Sequence, residues 1–140
     1  KKILKNIKNG TLLISTSRRT PDNIIKNIDE WKKENKVIKN VFHPKFYSKK
    51  NPLNDMLSFS DEIVITGDSV SMISEACQYK KPIRIYYGKD ICSDKHIFFC
   101  KQLIKEGYAF PFDTLLKKCN KIKTLNTTKL IGKKILSQIP

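Results

Sequence analysis

Apolar positions along this 140-residue chain follow two alternating rhythms. Short runs of strand character occur at Thr11–Ser15, Val37–Phe42, Glu62–Thr66 and Ile83–Tyr87. Between them, side chains recur at helical spacing: Ile24, Ile25, Ile28 and Trp31, then Val70, Ile73 and Cys77, then Ile97, Phe98, Lys101 and Ile104. Continuous apolar runs predict strands covered on both faces, and the stripes predict helices that cover them. Strand and helix in alternation require right-handed crossovers and parallel strands. The expected fold is α/β, an open parallel Rossmann-like sheet with helices on both faces. Such sheets bind ligands beyond the carboxyl ends of their strands, so the loops that follow the strands are the places to look for function.

Residues 1–10 read as an entering helix or linker, residues 11–127 as the α/β domain, and residues 128–140, with Leu130, Ile131, Ile135 and Leu136 at helical spacing, as a terminal helix. Asn51-Pro52 breaks the chain before a short helix through Met56, Leu57 and Phe59. The length fits one domain with its own core. The chain opens on Lys1 rather than Met, as a domain taken from a longer product would. No apolar run approaches the roughly 20 residues that span a bilayer, and no signal-peptide pattern is present, so the expected location is the cytoplasm.

The net charge of +15 changes the picture less than its size suggests. Of the 28 basic residues 25 are lysines scattered over the whole chain, without interleaved aromatics for base stacking, and this argues against specific nucleic-acid recognition. The charge does allow peripheral contact with an anionic membrane surface. Cys77, Cys92, Cys100 and Cys119 show no paired spacing of the kind that marks zinc sites or a disulfide framework. Cys92, His96 and Cys100 are four apart in turn, but a packed helix beginning near Asp94 would leave Cys92 in a loop, so no metal site is expected. His43 and His96 read as surface or packing residues.

The arginines are the informative cations. Two of the three stand together in Ser17-Arg18-Arg19-Thr20, between the first strand and a helix start at Thr20-Pro21-Asp22, with Thr20 as a hydroxyl cap. Unpaired amides at a helix start favour an anion, and a planar guanidinium grips two oxygens of one phosphate where lysine offers only a point charge. Ser15, Thr16 and Ser17 add hydroxyls. The competing reading is that both arginines pair with surface acids such as Asp22 or Asp61.

A second constellation follows the third strand. Thr66-Gly-Asp-Ser-Val-Ser-Met-Ile-Ser-Glu-Ala76 reads as a turn at Gly67 and a helix capped by Asp68 or Ser69. Asp68, Ser71 and Glu75 share one polar face, while Val70, Ile73 and Cys77 face the sheet. A carboxylate one turn into such a helix suits a ribose diol.

These stretches, together with Asn51-Pro52 and Lys81-Pro82, resemble the mitochondrial-fission ELM family, whose bacterial members are grouped with GT-B glycosyltransferases. The resemblance runs over most of the chain. It implies the carboxy-terminal, nucleotide-sugar-binding half of such an enzyme, resembling the donor-binding domain of GT-B glycosyltransferases. The layout from Asp61 to Pro82 is also similar to the donor site of the peptidoglycan N-acetylglucosaminyltransferase. By that likeness Ser17, Arg18, Arg19, Thr20, Ser69 and Ser71 would meet phosphate, and Glu75 and Asp68 ribose or sugar. No cofactor is implied beyond the nucleoside-diphosphate sugar itself. An amino-terminal acceptor domain or partner chain would supply the acceptor base, and the isolated chain would be inactive in transfer. Three positions depart from the pattern: Leu53 where tyrosine is usual, Phe110 where arginine is usual, and Ser69 in the place of the enzyme's glycine. Two other classes fit: a non-catalytic interaction module derived from this fold, and a basic nucleic-acid-binding domain.

Overall fold

A computed structural model describes residue 7 and residues 9–46, 52–114 and 122–126. The expected terminal helix, the expected entering segment apart from residues 7, 9 and 10, and Cys119 lie outside these residues. The chain is α/β with parallel strands flanked by helices, a Rossmann-like arrangement. It divides into two compact units, Lys1–Met56 and Leu57–Pro140, each with its own parallel sheet rather than one continuous sheet.

In the first unit β1 (Leu12–Ser15) leads through α1 (Asp22–Glu34) to β2 (Ile38–Phe42). The two strands pair in parallel, with Leu13 opposite Asn40, Ile14 opposite Val41 and Ser15 opposite Phe42. Helix α1 leans on β2 and buries Ile25, with Ile28 and Trp31 half-buried. Ile24, expected in that stripe, is 43% exposed, because an apolar stripe this narrow leaves one neighbour of Ile25 facing out. At the other end of α1 Asn35 closes the last turn, its side-chain amide donating to the Trp31 carbonyl at 2.8 Å. Asp22 in the first turn and Lys32 and Lys33 in the last complement the helix dipole.

Helix α2 (Leu53–Phe59) spans the division between the units. The second unit then runs β3 (Ile63–Thr66), α3 (Val70–Ala76), β4 (Ile83–Tyr86), α4 (Asp94–Lys105) and the two-residue β5 (Phe110–Pro111), with β4 between β3 and β5 and every pairing parallel. Strand β5 was not expected; a proline, which cannot donate to the ladder, is tolerated there because the strand is at the edge. Ile73, Ala76, Cys77, Ile83, Ile85 and Cys100 are closed to solvent and form the core. Along β4 burial alternates, Ile83 and Ile85 inward and Tyr86 exposed, where a continuous run had been expected. On α4 the inner stripe is Cys100 and Leu103 with Ile97 and Ile104 half-buried, while Phe98 is 64% exposed. The helix begins at Asp94 as expected, with Ser93 accepting the His96 amide as its cap.

Two cations fasten this unit. Arg84, half-buried on β4, donates its Nε to the Glu62 carboxylate and its Nη1 to the Phe112 carbonyl at 3.0 Å and the Thr114 carbonyl at 3.3 Å, with its guanidinium over the Phe112 ring. One side chain thus ties the start of β3 to the turn after β5. Lys81 donates to the Leu57 carbonyl at 2.9 Å and to the Ser58 carbonyl, which satisfies orphan acceptors at the end of α2.

Gly67, the residue after β3, is fixed by space rather than by backbone conformation. A Cβ there would lie 2.8 Å from the Tyr87 Cβ and 3.0 Å from the sulfurs of both Cys92 and Cys100. The Cys100 thiol points at the Gly67 carbonyl, 3.9 Å away, and burial pushes the thiols of Cys77 and Cys100 up to about 11. They are therefore protonated packing groups at neutral pH. Gly67→Ala should destabilise the protein by about 1–3 kcal/mol, the usual cost of overpacking a closed site. Urea unfolding checks this, and a variant as stable as the parent would show that Tyr87 and the two sulfurs give way freely.

Candidate functional site

The loop after β1 is built by hydroxyls. The Ser17 amide donates to Thr20 Oγ1 at 2.9 Å, the Arg19 amide to Ser17 Oγ at 3.2 Å, and the Thr20 amide to the Ser17 carbonyl at 3.2 Å. Ser17 Oγ and Thr20 Oγ1 are themselves 3.1 Å apart. This closed turn corrects two expectations. Thr20 does not cap α1, because its oxygen is taken by Ser17; Pro21 holds the cap position with no side-chain bond. The loop amides of Ser17, Arg19 and Thr20 are also engaged internally rather than open to a ligand, so the hydroxyl turn holds the loop's shape.

Arg18 and Arg19 are both exposed, and among the described residues neither makes an ion pair. Asp22, the acid beside them in sequence, is held instead by Lys45 at 2.5 Å. That hydrogen bond, with the lysine's charge and a smaller contribution from Lys26, holds the Asp22 carboxyl below the usual aspartate range.

Arg18 lines an open cleft of about 550 Å³ together with Pro44, Lys45 and Phe46. Arg18 follows the carboxyl end of β1, and the other three follow the carboxyl end of β2. The cleft thus opens at the edge where parallel sheets of this kind receive ligands. Its walls carry two cations and, in Phe46, an aromatic ring that is 60% exposed. A guanidinium beside a lysine that already holds Asp22 suits an anion able to share that lysine, and an open ring suits a planar base or an apolar edge of a ligand.

Lys45 and Phe46 escaped sequence reasoning because neither belongs to a motif. The available signal was positional: they follow a strand end in parallel register with β1, directly across from the arginine loop. Thr16 was misjudged in the opposite direction. Expected to offer a hydroxyl to an anion, it is buried, and its Oγ1 is 3.0 Å from His43 Nδ1. His43 is buried as well, with Nε2 3.0 Å from Asp29 Oδ1. Ser15 turns its hydroxyl to the Thr16 carbonyl at 3.3 Å.

The second predicted group lies in the second unit. Asp68 and Ser71 are exposed, and Ser69 and Glu75 are half-buried. Ser69 occupies the cap position of α3 but makes no cap bond; its hydroxyl is 3.3 Å from Ser71 Oγ. Neither Ser69 nor Asp68 therefore serves as the expected side-chain cap. Val70 is 40% exposed rather than packed on the sheet, and the buried face of α3 is Ile73 and Ala76, with Cys77 just past its end. The structure thus brings Ser17 and Thr20 into contact on the turn that carries Arg18 and Arg19 in one unit, and Ser69 and Ser71 into contact in the other, with Asp68 and Glu75 on the same turn and helix. Among the described residues no three metal-binding side chains converge, and the His96 Nδ1 is 2.8 Å from Ser93 Oγ.

Comparison with known proteins places this arrangement. The family described as mitochondrial fission ELM1 matches residues 1–139. An uncharacterized protein of Rickettsia prowazekii (strain Madrid E) is 37% identical over 123 residues, which cover 85% of this chain and 34% of that protein. The mitochondrial fission protein ELM1 of Arabidopsis thaliana is 34% identical over 107 residues, covering 74% of this chain and 23% of the plant protein. The chain thus spans about a third or less of the length of these relatives. No solved structure matches at a significant level. No helix among the described residues is long and apolar enough to cross a membrane.

The pairing of Lys45 with Asp22 gives a direct check on the rim of the cleft. In Lys45→Met the Asp22 carboxyl should titrate higher, back toward 3.8, because the hydrogen bond and charge that lower it are gone. A carboxyl depressed in the folded state helps the fold above its unfolded pKa and loses that help as pH falls, so the parent alone should show this acid-side contribution. Carboxyl carbon shifts followed by NMR between about pH 2 and 6 span the ordinary aspartate range. An Asp22 midpoint unchanged by the substitution would mean that Lys45 is free to face the cleft alone.

Proposed function

The chain belongs to the mitochondrial fission ELM1 family, and from that premise we propose that it binds the diphosphate of a nucleotide sugar, as the donor-binding part of a GT-B-type glycosyltransferase. One observation carries the reading: at the carboxyl edge of a parallel strand pair, an exposed guanidinium without an acidic partner among the described residues faces a lysine and an open aromatic ring across a cleft. Structural arginines are normally engaged, as Arg84 is. An arginine held out on a closed turn and paired with nothing among the described residues is poised for an anionic ligand.

Glycosyl transfer from such a donor builds negative charge on the departing diphosphate. Arg18, with Arg19 and Lys45 near it in the chain fold, would offset that charge as the bond breaks, and positioned charge of this kind is a large term in catalysis. In the second unit, the resemblance of Asp61–Pro82 to a donor site assigns Ser69 and Ser71 to phosphate and Asp68 and Glu75 to ribose or sugar, with Glu75 as acceptor for the ribose hydroxyls. The acceptor base belongs to a separate domain or partner chain in this reading, so residues 1–140 bind donor without efficient transfer, since both substrates must be held in line for reaction.

Two titrations test this. Replacing Arg18 and Arg19 together by lysine should weaken binding of a nucleoside diphosphate by about 1–3 kcal/mol per arginine that clamps it, with little change in melting temperature, since neither side chain holds the fold. Equal calorimetric affinity for the double variant and the parent would remove the arginine loop from the site. In the second titration Glu75→Gln keeps volume but loses charge, and should weaken a ribonucleotide more than inorganic pyrophosphate, which has no diol. Equal losses for both ligands would leave Glu75 outside the site.

A further inference from the structure

A chain of polar contacts joins the two walls of the Arg18 cleft from beneath. Thr16 Oγ1 meets His43 Nδ1 at 3.0 Å, and His43 Nε2 meets Asp29 Oδ1 at 3.0 Å. Thr16 is 7% exposed and His43 6% exposed. A carboxylate can only accept, so Nε2 carries the hydrogen that binds Asp29. In the neutral imidazole Nδ1 is then an acceptor, and the Thr16 hydroxyl donates to it at 3.0 Å in preference to the Phe42 carbonyl, which lies at 3.5 Å. The order hydroxyl, imidazole, carboxylate is the one that activates nucleophiles elsewhere. Here the hydroxyl is closed off from solvent and meets no substrate, so the arrangement holds structure rather than attacking a bond.

What it holds follows from where each member sits. Thr16 is the residue before the Ser17–Thr20 turn that presents Arg18. His43 is the residue before Pro44, Lys45 and Phe46, the opposite wall, and its ring meets the Phe46 ring edge-on at 6.1 Å. Asp29 anchors both to α1, four residues along the helix from the buried Ile25 and on the same face. We propose that His43 is a positioning residue: held by Asp29 in one tautomer, it fixes the separation of the arginine wall from the Lys45–Phe46 wall. This rests on the reading of the cleft as a diphosphate site only for its consequence in binding; the spacing of the walls stands apart from any ligand.

The experiment uses Thr16→Val, which keeps shape and removes the hydroxyl, with Thr16→Ser as the conservative variant that restores it. Nitrogen NMR of the parent should show the His43 hydrogen on Nε2. Thr16→Val should shift the backbone amides of Arg18, Lys45 and Phe46 together, and Thr16→Ser should bring them back. Inorganic pyrophosphate, as the probe, should bind Thr16→Val up to about tenfold more weakly, the worth of one neutral hydrogen bond, and Thr16→Ser nearly as well as the parent. A hydrogen found on Nδ1, amide shifts that stop at residue 16 and its immediate neighbours, or pyrophosphate affinity unaltered in Thr16→Val would each overturn the positioning role. If the parent binds no pyrophosphate while the amides of both walls still move together, the positioning role stands and the diphosphate reading falls.

Discussion

Parallel pairing is the constraint from which the rest of this molecule follows. Two parallel strands cannot be joined by a hairpin, so the chain must climb back along a helix before it can lay down the next strand. Every strand therefore ends at the same edge of its sheet. In the first unit the register sets Ser15 opposite Phe42, and the next residues, Thr16 and His43, are forced side by side. The loops that continue from them, Ser17–Thr20 and Pro44–Phe46, then become the two walls of one cleft. No sequence motif links these segments; the ladder does.

That constraint also decides which groups are free to act. Loop amides can serve as anion ligands, but in the turn ahead of α1 the hydroxyls of Ser17 and Thr20 bind the amides of Arg19 and Ser17. The turn becomes rigid by taking up its own donors. The cations remain, and among the described residues Asp22 engages Lys45 while no acid reaches Arg18. The cleft is thus lined by one guanidinium with no acidic partner among the described residues, carried on a turn closed by its own hydrogen bonds. Side chains on such a support lose less freedom on binding than those on a mobile one.

The strand and helix order was legible because buried parallel strands and amphipathic helices leave different rhythms in the sequence, and all four expected strands lie within a residue of where they form. The division into two sheets was not legible, since apolar runs report burial and not which strand is a neighbour. Facing was legible only in part: Ile24, Val70 and Phe98 look like core residues by spacing yet point out, because the helices bury narrow stripes. Caps failed for a local reason. Serine and threonine at Ser69 and Thr20 can bond to a neighbouring hydroxyl or loop amide instead of a helix amide, and spacing alone does not say which. Of the candidate site, the arginine loop was visible as a motif, while Lys45, Phe46 and the Asp29–His43–Thr16 contacts come from three separated segments and needed the fold to bring them together. A histidine just past a strand end and an acid on the apolar face of the adjacent helix were the only traces of that network in the sequence.

The three arginines of this lysine-rich chain show how environment, not residue type, sets a role. Arg84 lies half-buried within the second unit, where an unpaired charge would be costly, and it has acquired a carboxylate, two carbonyls and an aromatic face. Its Nε and Nη1 donors are taken up inside the unit, and with them it fastens β3, β4 and the turn after β5. Arg18 and Arg19 stand in solvent on a turn whose own polar groups are satisfied, with the neighbouring acid drawn off by a lysine. Water meets their hydrogen bonds until a better acceptor arrives, so holding them there costs the fold little. A scattered lysine on the same surface would be equally soluble and equally positive. Under the proposed function, a group that must match two oxygens of one ligand is the reason for arginine at that loop, and this distinction, more than the net charge of +15, would separate a recognition site from a merely basic surface.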